Sequence, residues 1–247
     1  MSTEKNIEQQ KDFYNTYWRG MQPLGSYKIA RAKWIMDALL QLRKKINDTD
    51  TRLLDLGCGD GRLVPLWQAI TGAETYGLEL SPEAVQAAQQ MFPFIRYKEG
   101  DATQTGYDNA HFDIVVCHEV LEHIEEQDKL VSECNRIIKA GGYLVLTTPN
   151  KYYFDRRKGG NYSQQPVENI IDMEELFRLL APYFAVMSFE TLIYARGDYG
   201  AYKYLTNRYW LAILRRLGMV NVWKHYLLKK GYGLHIAVVC RKKLSAL

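Results

Sequence analysis

The chain has 247 residues, 47% hydrophobic and 24% charged, with a formal net charge of +4. That is enough apolar material for one large α/β domain with an insertion, and no run of about 18 apolar residues offers a membrane span. Four cysteines without a Cys-x-x-Cys pair argue against a zinc site or a disulfide framework and fit a reducing, cytoplasmic setting, and the first residues lack the layout of a signal peptide.

Residues 1–50 read as a helical cap. Phe13, Tyr14, Tyr17 and Trp18 cluster, the loop signal Pro23-Leu-Gly25 interrupts, and a second helix runs from about Tyr27 to Lys45 on the spacing of Ile29, Trp34, Ile35, Ala38, Leu39 and Leu42. The aromatics suit either packing or a cover over the mouth of a site, with Tyr14 and Trp18 as the candidates for touching substrate.

From Arg52 strands and helices alternate, the mark of a mostly parallel sheet covered on both faces. Strands are expected at 52–56, 75–80, 95–98, 112–117, 143–148, 186–194 and 234–241. Between them, helices are expected from Arg62 to Ile70, from Ser81-Pro82-Glu83 to about Met91, from Glu119 to Lys139 with a break near Glu125, and from the capping box Asp172-Met-Glu-Glu175. Gly141-Gly142 is expected to end the third of these helices. Residues 51–194 and 234–247 then form the core, and 195–233 an insertion before the last strand. The insertion carries eight Lys/Arg against the single acid Asp198, a net of +7 within a chain of +4, interleaved with eight aromatics. Trp210, Ile213, Leu214 and Leu217 share a helix face there, ended by Gly218. A solvated face, a lid giving cations to an anionic small substrate, a nucleic-acid surface and an interfacial membrane helix are all consistent with this composition, and the lid ranks first among the functional readings.

In an open α/β sheet, ligands bind beyond the carboxyl ends of the strands. The first strand ends in Leu53-Leu-Asp-Leu-Gly-Cys-Gly-Asp-Gly61. Glycines at 57, 59 and 61 let the backbone turn tightly and approach a ligand. Glu79 ends the second strand, where a carboxylate can accept from both hydroxyls of a ribose. Asp101 ends the third, within reach of an exocyclic adenine amine. Cys117, His118 and Glu119 end the fourth. The acid Asp55 ahead of the glycines would repel a pyrophosphate but suits a ligand bearing an amino group and a sulfonium.

These segments, with Gly77-Leu-Glu-Leu-Ser81, Gly100-Asp-Ala102, residues 112–124 and residues 139–150, resemble the motifs of class I S-adenosylmethionine-dependent methyltransferases, nearest the small-molecule branch that includes the ubiquinone-pathway O-methyltransferases. The resemblance is specific over about residues 50–150 and looser over 170–194 and 234–241. It implies a seven-stranded sheet whose last strand inserts antiparallel. It further implies S-adenosylmethionine as cofactor and S-adenosylhomocysteine as product, with Gly57, Cys58 and Gly59 at the methionine part, Glu79 and Leu80 at the ribose, Asp101 and Ala102 at the adenine, and His118 near the sulfonium. His118 and His123 are the candidate catalytic groups, since an alcohol or phenol acceptor profits from a general base. Spacings of 3 and 4 would put Glu119, Glu122 and His123 on one helix face. Similar runs hold a divalent metal in some relatives, but the further histidine that the small-RNA enzymes of this class bring after strand five has no counterpart in residues 152–169, so no metal is assigned. The expected activity is methyl transfer to an oxygen, less readily a nitrogen, of a small substrate, with phosphate- or nucleotide-linked acceptors among the candidates. An RNA 2′-O-methyltransferase and a catalytically silent cofactor-binding subunit are the alternatives. The acceptor and the oligomeric state are not written in these motifs.

Overall fold

In a computed structural model, residues 2–18, 25–46, 50–158 and 166–244 are described, the side chains from residue 7 onward. The chain opens with helices α1 (Ser2–Tyr17) and α2 (Ser26–Arg43), then β1 (Arg52–Leu56), α3 (Val64–Thr71), β2 (Glu74–Glu79), α4 (Pro82–Met91), β3 (Arg96–Glu99) and β4 (Phe112–His118). A 3-10 turn (Leu121–His123) leads into α5 (Gln127–Ile137), β5 (Ile138–Pro149), α6 (Lys151–Phe154), α7 (Met173–Leu180) and β6 (Phe184–Tyr194). The insertion forms α8 (Gly200–Leu205), α9 (Arg208–Arg216) and α10 (Val220–Lys229), and β7 (Gly233–Lys242) closes the sheet. The expected loop at Pro23-Leu24 lies outside the described residues.

The seven strands run in the order β3-β2-β1-β4-β5-β7-β6, with β7 antiparallel to both neighbours. Because successive side chains of a strand point to opposite faces, Leu53 joins Ile35, Leu39, Leu42 and Trp67 under α2 and α3. Leu54 joins Val115, Leu130 and Leu176 under α5 and α7. Both faces of β1 and β4 are thereby dry, which is why apolar residues dominate them without alternating. Each fully buried leucine or isoleucine here contributes roughly 1.5–3 kcal/mol.

Local signals act where expected. Ser81 caps α4 by accepting from the Ala84 N–H at 3.2 Å, with Pro82 at the first helical position. Asp172 and Glu175 form a reciprocal capping box on α7.

Three boundaries differ from expectation. The helix after the glycine loop starts at Val64 rather than Arg62, because Gly61 is left-handed at φ 73° and the chain needs two more residues to enter helical geometry. The segment expected to be helical over 119–139 breaks near Glu125 as expected, but the piece before the break is not an α-helix. Glu119 is left-handed at φ 57° and donates its N–H to Thr147 O at 3.0 Å, so only a 3-10 turn follows before α5. Gly141-Gly142 lies inside β5 rather than ending a helix. Ile138 already pairs with Phe112, the ladder shifts between Phe112 and Ile114, and a Cβ on Gly142 would stand 2.8 Å from Asp113 O. A glycine pair in a bulge and a glycine pair at a helix end look alike in sequence.

Candidate active site

A cavity of about 510 Å³ opens at the carboxyl ends of β1, β2 and β4, bordered by α1 and α2. Its floor is the glycine loop. Gly57 and Gly59 both have positive φ, and a Cβ would meet Val120 Cγ2 at 2.4 Å and the Trp18 ring at 2.5 Å respectively. The N–H groups of Gly57 and Cys58 donate to Leu78 O at 2.7 and 3.0 Å, which pins the loop to β2.

Glu79 is buried and each oxygen accepts a backbone bond: Gly59 N–H donates to Oε2 and Ser81 N–H to Oε1, both at 3.0 Å. Burial pushes its carboxyl up, and these backbone donors work against that. The Leu80 backbone also contributes a hydrogen bond, and since a carboxylate has about four acceptor sites, capacity remains for a ligand hydroxyl. Asp101 Oδ1 accepts from the Thr103 N–H and hydroxyl at 2.7 and 2.8 Å, leaving Oδ2 without a protein bond among the described residues. Asp55 accepts from Trp67 Nε1 at 2.8 Å, and burial pushes it up to about 7. The Cys58 thiol is pushed well up by burial and by Asp55, so it stays protonated and unreactive. Leu80 and Ala102 also line the cavity.

The cap meets the site directly. Tyr14 lines the cavity with its ring 6.2 Å from that of His123, and Trp18 lies against Gly59. Helix α1 is tethered by Gln10 Nε2 donating to His123 O at 3.0 Å and by the Ser81 hydroxyl donating to Asn15 Oδ1 at 2.6 Å.

At the ends of β4 and β5 the chemistry is different. Arg31 of α2 donates from Nε to His118 Nε2 at 3.2 Å, contacts His235 Nε2 at 3.0 Å through Nη1, and lies 3.5 Å from Glu119 Oε2. Thr147 donates to Glu119 Oε1 at 2.9 Å, and His235 Nδ1 lies 2.9 Å from Oε2. Burial alone would raise the Glu119 carboxyl, but His235 and Arg31 outweigh it and hold it well below the usual range. Glu122, also buried, accepts from the Thr148 hydroxyl at 3.0 Å. Burial and the Glu119 charge push it well up. The two neighbouring carboxyls are thus pushed in opposite directions, Glu119 down and Glu122 up.

The two candidate histidines fare differently. His118 is pushed down to about 3 by burial, with Arg31 adding to the effect, and its Nε2 lone pair is taken by the guanidinium. His123 is lowered by burial. Its Nδ1 lies 3.2 Å from Val167 O, an atom that can only accept, so Nδ1 carries the proton. That leaves the Nε2 lone pair of His123 on the side of Glu122 Oε1, 3.5 Å away.

The single helix face expected for Glu119, Glu122 and His123 is not formed. Glu119 precedes the 3-10 turn in a left-handed conformation and faces Arg31 and His235, while Glu122 faces Thr148. Among the described residues no group of three or more His, Cys, Asp or Glu is placed to hold a metal ion. With a guanidinium already at Glu119 and the Thr148 hydroxyl on Glu122, these side chains do not converge as a cation's donor set, and no step is derived through one. No described residue of 195–233 lines the cavity either, so the expected lid makes no contact there.

Sequence reasoning missed Arg31, Lys28 and His235. Lys28 and Arg31, one helical turn apart, both line the cavity. The signal for His235 was a lone polar residue in the apolar run Leu234-His-Ile-Ala-Val-Val239.

This strand order and this site define the class I methyltransferase fold. Residues 54–146 match the family model described as a methyltransferase domain. It is 31% identical over 153 residues to a ubiquinone biosynthesis O-methyltransferase of Paraburkholderia phymatum, an alignment covering 59% of this chain and 62% of that relative. The chain thus spans less than two thirds of that relative's length. Among solved structures, geranyl diphosphate C-methyltransferase from Streptomyces coelicolor, crystallised with Mg2+, geranyl diphosphate and S-adenosylhomocysteine, superposes with TM-score 0.63 at 17% identity over 96% of this chain and 97% of that one. The cyclase SpnF superposes with TM-score 0.62 at 20% identity over 92% and 87%. A cyclase on the same fold is a reminder that architecture does not fix the reaction.

Proposed function

We propose that this chain binds S-adenosylmethionine in the 510 Å³ cavity and transfers its methyl group to a hydroxyl oxygen of a small molecule. The observation that carries the reading is the row of strand-end groups: a glycine loop that no side chain can occupy, Glu79 with acceptor capacity to spare, and Asp101 with one oxygen unspent. Glu79 would take a ribose hydroxyl and Asp101 the adenine amine. Lys28 Nζ lies 5.4 Å from the Trp18 ring centroid beside the glycine loop, where it would pair with the cofactor's carboxylate. When bound, the cofactor supplies a methyl carbon made electrophilic by its sulfonium.

The protein's own work is then to exclude water, aim the acceptor and take its proton. Tyr14 and Trp18 close the mouth. His123 is the base in this reading: it is neutral, its tautomer is fixed by Val167 O, and its Nε2 lone pair is not spent on a cation. His118, with its lone pair bonded to Arg31, is a wall and positioning group. Oxygen is favoured over nitrogen because several relatives near 30% identity are named ubiquinone biosynthesis O-methyltransferases. Any recognition of phosphate on the acceptor would rest on Lys28 and Arg31, since the insertion lines no part of the cavity.

Titration calorimetry with S-adenosylhomocysteine tests the cofactor half. The wild type should bind, and Glu79→Ala and Asp101→Ala should each weaken binding at least about tenfold, the loss of charge-assisted hydrogen bonds. Absence of wild-type binding, or unchanged binding in both variants, sinks it. With an acceptor found by transfer of labelled methyl, His123→Gln should lower turnover about 10²–10⁴-fold with cofactor affinity retained. Equal activity in that variant removes His123 as the base.

A further inference from the structure

Helices α8, α9 and α10 carry two apolar sets. The inner one is satisfied: Tyr202, Leu214 and Leu227 are buried, the Tyr202 hydroxyl donates to Ala195 O at 2.7 Å, Trp223 Nε1 donates to Leu205 O at 3.0 Å, and the Thr191 hydroxyl ties β6 to Leu228 O at 2.6 Å. The insertion is therefore a packed platform fixed to the sheet. The outer set has no cover among the described residues. Ile213, Leu217 and Val222 are 52%, 65% and 66% exposed, and Trp210, Met219 and Tyr226 are exposed with them. These residues form one surface, because Trp210 packs on Trp223 at 5.9 Å and Trp223 stacks on Tyr226 at 5.5 Å.

Charge lies beside that surface. From Tyr199 to Gly233 there are seven Lys/Arg and no acid. Helical spacing puts Tyr209 and Arg216 next to Ile213, four before it and three after it. Lys229 shares a face with Val222 and Tyr226. Glu190 of β6 lies 3.5 Å from Lys229 Nζ, so Lys229 is partly neutralised, but an apolar strip of aliphatic and aromatic side chains bordered by an excess of cations is complementary to a surface that is anionic outside and hydrocarbon beneath. Lysine and arginine stems can lie along the apolar strip while their charged ends meet headgroups.

We infer that α9 and α10 form a docking surface for anionic lipid membranes. A second copy of the chain is disfavoured, because a two-fold contact would bring this predominantly cationic face against itself. Nucleic acid could use the cations and rings, but it offers nothing to Ile213, Leu217, Met219 and Val222, whose exposure would then be pure cost. The platform joins the end of β6 to the start of β7, and Gly233 and His235 pair with Tyr194 and Pro149. It therefore stands on the same sheet edge as the cavity, and docking would turn that edge toward the bilayer. The inference stands apart from the methyl-transfer reading and needs no cofactor.

Vesicle co-sedimentation of the full chain tests it, with phosphatidylcholine alone and with about one third phosphatidylglycerol. Binding should need the anionic lipid and fall with added salt. Ile213→Ser with Leu217→Ser, and separately Arg215→Glu with Arg216→Glu, should each weaken it at least about tenfold. All four side chains are exposed, so thermal melting of both variants should stay at the wild-type value. Equal binding to neutral and anionic vesicles, or unchanged binding in both double variants, overturns the proposal. So does a dimer by light scattering that the serine variant dissociates without any vesicle binding by the wild type. An RNA oligonucleotide that strips the protein from vesicles and binds the serine variant equally well would assign the surface to nucleic acid instead.

Discussion

The ends of β1, β2 and β3 and the ends of β4, β5 and β7 hold charge by two different means. At the first, carboxylates are satisfied by backbone N–H groups or by neighbours a few residues away: Gly59 and Ser81 on Glu79, Thr103 on Asp101. At the second, Glu119 is satisfied by side chains from elements far apart in the chain, Arg31 of α2, Thr147 of β5 and His235 of β7. The first arrangement costs few rotamers and leaves acceptor capacity for a ligand. The second is a closed network in which each member depends on the others, and it sets the protonation of its neighbours Glu122 and His118.

If the second region is such a network, its largest vulnerability is Arg31. Arg31→Met leaves the buried Glu119 carboxylate without its guanidinium and should cost about 3 kcal/mol, the lower end for breaking a buried pair because Thr147 and His235 remain. Denaturant melts would show this as a lower midpoint at constant slope. A loss under about 0.5 kcal/mol, the size of a surface change, would mean that Glu119 is held by its other partners alone. The first region should break through its backbone instead. Gly57→Ala forces a side chain onto a left-handed residue and to 2.4 Å from Val120, which should cost roughly 1–3 kcal/mol and reduce S-adenosylhomocysteine binding more than Arg31→Met does. Reversal of that order would erase the distinction between the two regions.

The same contrast explains what was legible in the sequence. The alternation of elements, the cap at Ser81, the box at Asp172 and the acids at Glu79 and Asp101 are each set within a few residues, so their meaning is readable in place. The antiparallel β7 followed from family resemblance, not from its own residues. Arg31 and His235 could not be read, because they acquire a role only when α2 and β7 are brought to the end of β4, 87 and 204 residues apart in their contacts with Arg31. Glu119-x-x-Glu122-His123 was misread for the same reason. A helical spacing argument assumes a helix, and the bond from Glu119 N–H to Thr147 O, which belongs to another strand, denies it one.

Asp55 belongs to the first region by position but is buried like the second, with Trp67 Nε1 its one hydrogen-bond donor. Its folded-state carboxyl is raised from 3.8 to about 7, burial being the main cause. Between those values the folded chain holds a proton that the unfolded chain has released, so this group's contribution to stability falls as pH rises through the window and levels off above about 7. Asp55→Asn keeps an oxygen to accept from Trp67 and removes the titration. The variant should match the wild type near pH 4 and exceed it by at least about 1 kcal/mol at pH 8. The readout is the difference between the two melting curves across that range, since every other titrating group cancels. A difference independent of pH would show that Asp55 is ionised throughout, held by the cations Lys28 and its neighbours, and the ends of β1 and β4 would then share one electrostatic logic rather than two.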